Sequence, residues 1–297
     1  MDSSLNTRSM IFTIYGDYIR HYGGEIWIGS LIRLFKEFGH NEQSVRAAIS
    51  RMHKQNWVQS RKEGNRSYYF LTEQGIERMQ EAAERIFKLR PNHWDGKWRM
   101  LIYTIPEEKR HIRDELRKEL VWSGFGTMAN SVWISPNDLT KQVYKMIDKY
   151  DVRPYIHYFI TEYNGPHERG QLIKDCWNID EINEKYEAFI EKYKREADSN
   201  YKKIHTGQMT PADCFVERTK LVHEYRKFLF IDPGLPEELL PEVWLGNQAS
   251  ALFRDYYKVL AKPASSFFEE VFQEGNVIHK KDKAYDVLHH PFMADND

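Results

Sequence analysis

Cysteine is nearly missing from this sequence: Cys176 and Cys214 are the two in 297 residues, far apart and in no CxxC spacing. That excludes a disulfide framework and a cysteine-rich metal site as organising principles, and both thiols read as free. Charge of one sign is missing too. Lysine and arginine number 43 against 44 acidic residues, a formal net charge of -1, so no field over the whole chain draws it to nucleic acid or membrane. Any basic surface has to be local. No run approaches the roughly 20 apolar residues that span a bilayer, and the opening MDSSLNTRSM lacks the basic-then-apolar order of a secretion signal, so a cytoplasmic protein is expected. A GxSxG elbow, a phosphate-binding glycine loop, a Ser-His-Asp arrangement and a pair of catalytic carboxylates are all lacking, which points away from an enzyme.

What is present is organised from the first residues. Apolar positions Met10, Ile11, Ile14, Tyr15 and Tyr18 recur at helical spacing between Ser9 and Tyr22, and Gly23-Gly24 ends that run. A second helix is predicted from Ile26 to Phe38, stopped by Gly39, and Asn41 is a good N-cap for a third. Three helices with Gly39-His40 between the second and third outline a helix-turn-helix.

The third helix divides its residues sharply. Val45, Ala48, Ile49 and Met52 fall on one side; Gln43, Ala47, Ser50 and Lys54 fall on the other, flanked by Arg46 and Arg51, with Ser44 near its start. A solvated face is the ordinary explanation of such a pattern. Here the face has basic flanks, small residues at its centre and no acid after Glu42, which suits close approach to base edges and phosphates. Residues 57–60 and 67–71 read as strands with Arg61, Lys62, Gly64, Asn65 and Arg66 in the turn, a basic hairpin in the place of a wing. From Asn41 to Arg66 six basic residues face two acidic ones, a local excess of four positive charges. A helix from Glu73 to Leu89, capped by Thr72, completes residues 1–90 as a winged-helix DNA-binding domain.

A composition shift at residues 90–96 marks a linker. Beyond it the pattern predicts a strand over Trp98–Ile105, a helix over Glu107–Val121, two strands within Phe125–Ser135, a helix over Asp138–Tyr150 and a strand over Tyr155–Tyr163. This β-α-β-β-α-β order makes residues 91–175 a ferredoxin-like domain. Residues 176–297 read as a helical C-terminal domain, with helices over 182–201, 211–230, 250–260 and 265–272 and a short one at 235–241. The fold class expected is thus α+β in three domains.

Three stretches carry a resemblance. SLIRLFKEFGHNEQSVRAAISRMHKQNWV with its basic wing, DGKWRMLIYTIPEEKRHIRDELRKEL followed by WSGFG and SVWISP, and LVHEYRKFLFIDPGLPEELLPEVW occur in the order of the PaaX-type repressors of phenylacetic acid degradation. The chain resembles that family over nearly its whole length. The resemblance implies a cytoplasmic bacterial transcriptional repressor that binds double-stranded operator DNA, usually as a homodimer, and is released by an acyl-coenzyme A such as phenylacetyl-CoA. The central domain also looks like the small CRISPR-associated nucleases, whose first strand ends in a metal-binding aspartate. Here that stretch reads Tyr103-Thr104-Ile105-Pro106, with threonine in the place of the carboxylate, so metal-dependent cleavage of nucleic acid is the alternative reading and not the first. An interaction adaptor that keeps the helix-turn-helix without DNA is a third.

An acyl-CoA needs cations for its phosphates and an apolar slot for its acyl group. Arg218, His223 and Arg226 on the 211–230 helix, with Trp244 beyond it, are the candidate effector residues, against the plainer reading that they pair internally or pack in a core. His279, His289 and His290 lack the spacing and carboxylate partners of a metal site and read as residues of a polar tail, so no metal is expected.

Overall fold

The computed structural model describes residues 6–87 and 93–277. In chain order it contains α1 (Thr7–Asp17), β1 (Glu25–Trp27), α2 (Ile28–Lys36), α3 (Glu42–Lys54), β2 (Val58–Glu63), β3 (Arg66–Leu71) and α4 (Glu73–Phe87). Then follow β4 (Trp98–Tyr103), α5 (Arg110–Ser123), β5 (Gly126–Ala129), β6 (Val132–Ser135), α6 (Thr140–Tyr150), β7 (Ile156–Thr161), α7 (Arg169–Cys176), α8 (Ile179–His205), α9 (Pro211–Tyr225) and α10 (Gly246–Gln273). Mixed helices and two small sheets make it an α+β chain.

The described residues form two compact units: 6–87 with 190–226 and 250–277, and 93–189 with 227–249. The segment from residue 176 onward, continuous in sequence, is therefore divided between them. In the first unit the reason is apolar matching. The buried face of α1 (Met10, Ile11, Ile14) needs cover, which α9 shares in supplying, and just past the end of α1 Tyr18 and Tyr22 meet Phe215, Phe268 and Phe272 of α9 and α10. Tyr18 lies 5.1 Å from the ring of Phe215 and 4.9 Å from that of Phe268.

The first unit also departs from the expected helix over Ile26–Phe38. Glu25–Trp27 is a strand, and α2 begins at Ile28. Glycines 23 and 24, at φ 80 and 77, turn the chain through conformations that favour glycine, and β1 then pairs antiparallel with β3, Glu25 opposite Phe70 and Trp27 opposite Tyr68. Pairing satisfies backbone groups that a helix start would leave open. The sheet order is β1-β3-β2, which leaves β1 at one edge. The hairpin is longer than expected: β2 runs to Glu63, β3 starts at Arg66, and only Gly64-Asn65 turns. Gly64, at φ 56, occupies the first central position, where type II′ hairpin turns place glycine.

In the second unit the order β-α-β-β-α-β is realised by β4, α5, β5, β6, α6 and β7, in an antiparallel sheet ordered β5-β6-β4-β7. Leu101, Tyr103 and Trp133 from the strands and Leu116, Leu120, Val143 and Ile147 from the helices form its core. At the end of α5, Gly124 takes φ 95, and a side chain there would run into the carbonyl of Pro233.

Two further helix expectations fail for identifiable reasons. The helices over 250–260 and 265–272 are one helix, α10, which passes through Pro263. A proline costs a helix interior about 3 kcal/mol, and here an unbroken apolar stripe from Phe253 through Tyr257, Leu260, Ala264 and Phe268 to Phe272 outweighs it. The helix over 211–230 keeps α-geometry only to Tyr225 and tightens into a 3₁₀ turn over Arg226–Phe230. His279, His289 and His290 lie outside the described residues.

Candidate nucleic-acid interface

The third helix starts where its cap dictates. The Asn41 side chain accepts from the amide of Ser44 at 2.8 Å, and the Ser44 hydroxyl donates back to the Asn41 carbonyl at 2.8 Å. Val45, Ala48, Ile49 and Met52 are buried, so the helix is fixed along one side. Gln43, Arg46, Ala47, Ser50, Arg51 and Lys54 are all exposed, and Ser44 is partly so. The structure brings these seven together on one open surface. Arg46 already pairs with Glu42, one turn back, at 2.8 Å. Arg51, Lys54 and Lys62 form no ion pair among the described residues.

The hairpin residues divide differently. Arg61, Lys62, Asn65 and Arg66 are exposed. The Arg61 guanidinium donates to both oxygens of Glu25, at 2.7 and 2.6 Å, and to Glu63 at 2.6 Å, and it lies 4.4 Å over the Tyr68 ring. Arg66 sits 4.8 Å over the Trp27 ring. Arg61 is therefore a strut between β1 and β2, and Lys62 is the hairpin cation left to solvent. Counting the hairpin alone did not reveal this, because Glu25 lies far earlier in the chain.

Three of the four residues expected at an effector site lie in the first unit, each engaged by partners within it. Arg218 is buried and bonded to the carboxylate of Asp17 at 2.9 and 3.0 Å, to the Ser265 hydroxyl at 3.1 Å and to the Tyr257 hydroxyl. Burial alone would lower its pKa; the Asp17 carboxylate beside it raises it above the ordinary value. His223 is buried with Nδ1 3.0 Å from the Thr13 hydroxyl. Arg226 bonds the carbonyl of Ser9 at 3.1 Å and its hydroxyl, and burial pushes its pKa down to about 10. Trp244 belongs to the other unit, its ring 5.5 Å from that of Tyr186. Burial pushes the Cys176 thiol up to about 12 and Cys214 up to about 11, so both are poor nucleophiles.

At the end of β4, Thr104 is exposed and its amide donates to the Tyr155 carbonyl at 2.9 Å. Glu107, in the turn after it, accepts from Arg113 at 2.9 Å and lies 3.6 Å from Arg110. Among the described residues no group of three or more His, Cys, Asp or Glu is placed to hold a metal ion, and no helix is long and apolar enough to cross a membrane.

Three family models match in the order of the chain: "PaaX-like protein" over residues 6–75, "PaaX protein central Cas2-like domain" over 91–173 and "PaaX-like protein C-terminal domain" over 177–270. The transcriptional repressor PaaX of Escherichia coli (strain K12) is 33% identical over 265 residues, 88% of this chain and 83% of that protein. Among solved structures, the uncharacterized protein Rv0674 from Mycobacterium tuberculosis is similar in fold, with a TM-score of 0.56 at 22% identity over 90% of this chain and 100% of that one. Fold and matches together define an α+β protein built around a Cas2-like central domain. The chain belongs to the PaaX family.

Proposed function

We propose that this protein is a ligand-controlled transcriptional repressor, in which α2, the turn at Gly39-His40, α3 and the β2–β3 hairpin act as a winged helix-turn-helix on duplex DNA. The observation that carries this is the open face of α3: six exposed residues, three of them cations, on a helix whose opposite side is locked into the core. Arg51 and Lys54 reach outward with no carboxylate to release first, and Ala47 and Ser50 let the helix lie deep in a major groove. The PaaX relative, named a repressor, and the family match over the same residues support the reading.

A homodimer carries two such helices, and they meet successive major grooves when about 34 to 36 Å, or a multiple of that, separates them, so the operator is an inverted repeat. The effector is an acyl-CoA, with phenylacetyl-CoA first in order, on the strength of the resemblance to repressors of phenylacetic acid degradation. A hundredfold loss of operator affinity corresponds to a coupling of about 2.7 kcal/mol, and DNA weakens the effector by the same factor.

The test combines both halves. Footprinting on the chain's own promoter region gives a symmetric protected site with wild type. Arg51→Ala weakens that binding by about 1 to 3 kcal/mol if the residue reads a base, with unchanged thermal stability. Full affinity in an Arg46→Ala, Arg51→Ala double variant overturns the α3 assignment. Titration with phenylacetyl-CoA, coenzyme A and phenylacetate, with and without the duplex, tests the effector; release of DNA by none of them overturns that part alone.

A further inference from the structure

The end of α10 and the three residues after it meet the first unit at the free edge of its small sheet. Asn276 accepts from the amide of Trp27 at 3.0 Å and donates to the carbonyl of Glu25 at 3.2 Å. These are the outward backbone groups of an edge strand, so one side-chain amide stands in for a neighbouring strand. Next to it the Gly275 carbonyl accepts from the Tyr68 hydroxyl at 2.8 Å and from Arg66 at 3.5 Å. A side chain on Gly275 would run into the Trp27 indole, and one on Gly29 would meet the same ring from α2. The Ser30 hydroxyl donates to the Val271 carbonyl at 2.9 Å, and Arg33 pairs with Glu274 at 2.5 Å and Glu270 at 3.4 Å.

Every one of these contacts falls on β1, on α2 or on the Arg66–Tyr68 stretch of β3, next to the hairpin turn. Glu25 and Trp27, gripped from one side by Asn276, hold Arg61 and Arg66 on the other, and these two arginines flank Lys62 and the Gly64-Asn65 turn. A three-residue edge strand has little pairing of its own, so its position is set by what lies along its free edge.

We propose that residues 271–276 form a clasp that positions the hairpin for duplex DNA, with Asn276 as its principal positioning residue. Asn276 touches no DNA itself; it fixes β1, β1 fixes Arg61 and Arg66, and these hold Lys62 where it meets a phosphate. The proposal rests on the DNA-binding reading of α3 and the hairpin, and deepens it.

The experiment uses the full chain and a random-sequence duplex, because phosphate contact is independent of sequence and appears in the salt dependence of binding. For wild type, Asn276→Ala, Lys62→Ala and the double variant, the slope of log affinity against log salt is measured beside the thermal midpoint. Each single variant is expected to lower the slope by about one, the loss of one phosphate contact, and the double variant to lower it no further than either. A purely structural role for Asn276 would shift the midpoint and leave the slope. Asn276→Gln, which keeps the amide but lengthens its arm, falls between wild type and alanine, and it stands in if the alanine variant fails to fold. A wild-type slope in the Asn276 variants, or losses that add in the double variant, overturns the clasp. A wild-type salt slope in Lys62→Ala together with wild-type operator affinity in Arg51→Ala overturns the underlying interface instead.

Discussion

Helices α3 and α9 look alike on paper: each is a moderately long helix carrying several cations, close in sequence to aromatic residues. In the molecule they have opposite fates. The cations of α3 stand in solvent, and among the described residues the one carboxylate that engages them, Glu42, belongs to the same helix. On α9, Arg218 turns inward onto Asp17 and His223 onto Thr13, both on α1, while Lys220 pairs with Glu217 of its own helix at 3.1 Å. The difference lies in what each helix must cover. Helix α3 buries a narrow apolar stripe and leaves most of its circumference free. Helix α9 buries eight residues, Arg218 and His223 among them, because α1 packs along it. A cation is available to a ligand when the fold has not already supplied its counter-charge.

The largest expected effect tests that statement on α9. Arg218→Ala removes the cation that compensates Asp17, whose carboxylate is also bonded by the Tyr257 hydroxyl at 2.8 Å, and leaves the acid buried. Breaking a buried pair from one side costs about 3 to 5 kcal/mol, so urea titration should show a strongly destabilised protein. Replacing both partners together with apolar residues of similar volume should restore much of the loss. A variant of wild-type stability that has lost only acyl-CoA binding would make α9 a ligand helix after all and erase the contrast with α3.

Sequence periodicity made most of the architecture legible. The element order of the central unit, the Asn41 cap and the buried and open faces of α3 all follow from local patterns of apolar spacing and cap residues. What escaped depends on partners distant in sequence. Glu25–Trp27 is a strand because β3, residues 66–71, lies beside it, and nothing in its own three residues says so. Helix α10 survives Pro263 because of the surface it covers. The exposure of Arg51 was readable from its helical angle, whereas the engagement of Arg61 by Glu25 was not, since the pairing spans 36 positions. Trp244 is near α9 in sequence and in the other unit in space, which no spacing rule conveys.

A middle-sized effect sharpens the comparison inside the hairpin itself. Lys62 and Arg61 are adjacent cations on β2, yet Arg61 is held by Glu25 and Glu63 and Lys62 is open. Lys62→Ala should lower the salt slope of DNA binding by about one. Arg61→Ala should lower the slope by no more than the one contact Lys62 makes, and an Arg61→Ala, Lys62→Ala double variant no further than Lys62→Ala alone, because a guanidinium engaged by two carboxylates has no net charge of its own to offer a phosphate. Losses that add in the double variant would show that the Glu25 pair opens when DNA arrives and that Arg61 meets a phosphate of its own.

The smallest effect extends the same distinction to the second unit, where Arg99 shows an intermediate case. Its side chain is 7% exposed while that of its partner Asp95 is 47% exposed, with contacts of 2.7 and 2.8 Å between them. The hydrogen bonds from Arg99 hold the Asp95 carboxyl below its ordinary pKa. A carboxylate whose folded pKa is depressed binds fewer protons folded than unfolded as pH falls through that region, so its contribution is complete above the ordinary carboxylate range and is lost as pH drops through the folded value. Solvent at the exposed end screens the pair, which keeps the contribution small. Arg99 also donates to the carbonyls of Lys97 at 3.1 Å and Pro136 at 3.2 Å, so loss of Asp95 does not strand it as Arg218 would strand Asp17. Asp95→Asn should therefore lower the thermal midpoint slightly near neutral pH, and the gap from wild type should narrow as the pH is taken down through and below the ordinary carboxylate range. A gap that stays constant over that interval would mean that the carboxylate's charge contributes nothing and that Arg99 is held by the two carbonyls.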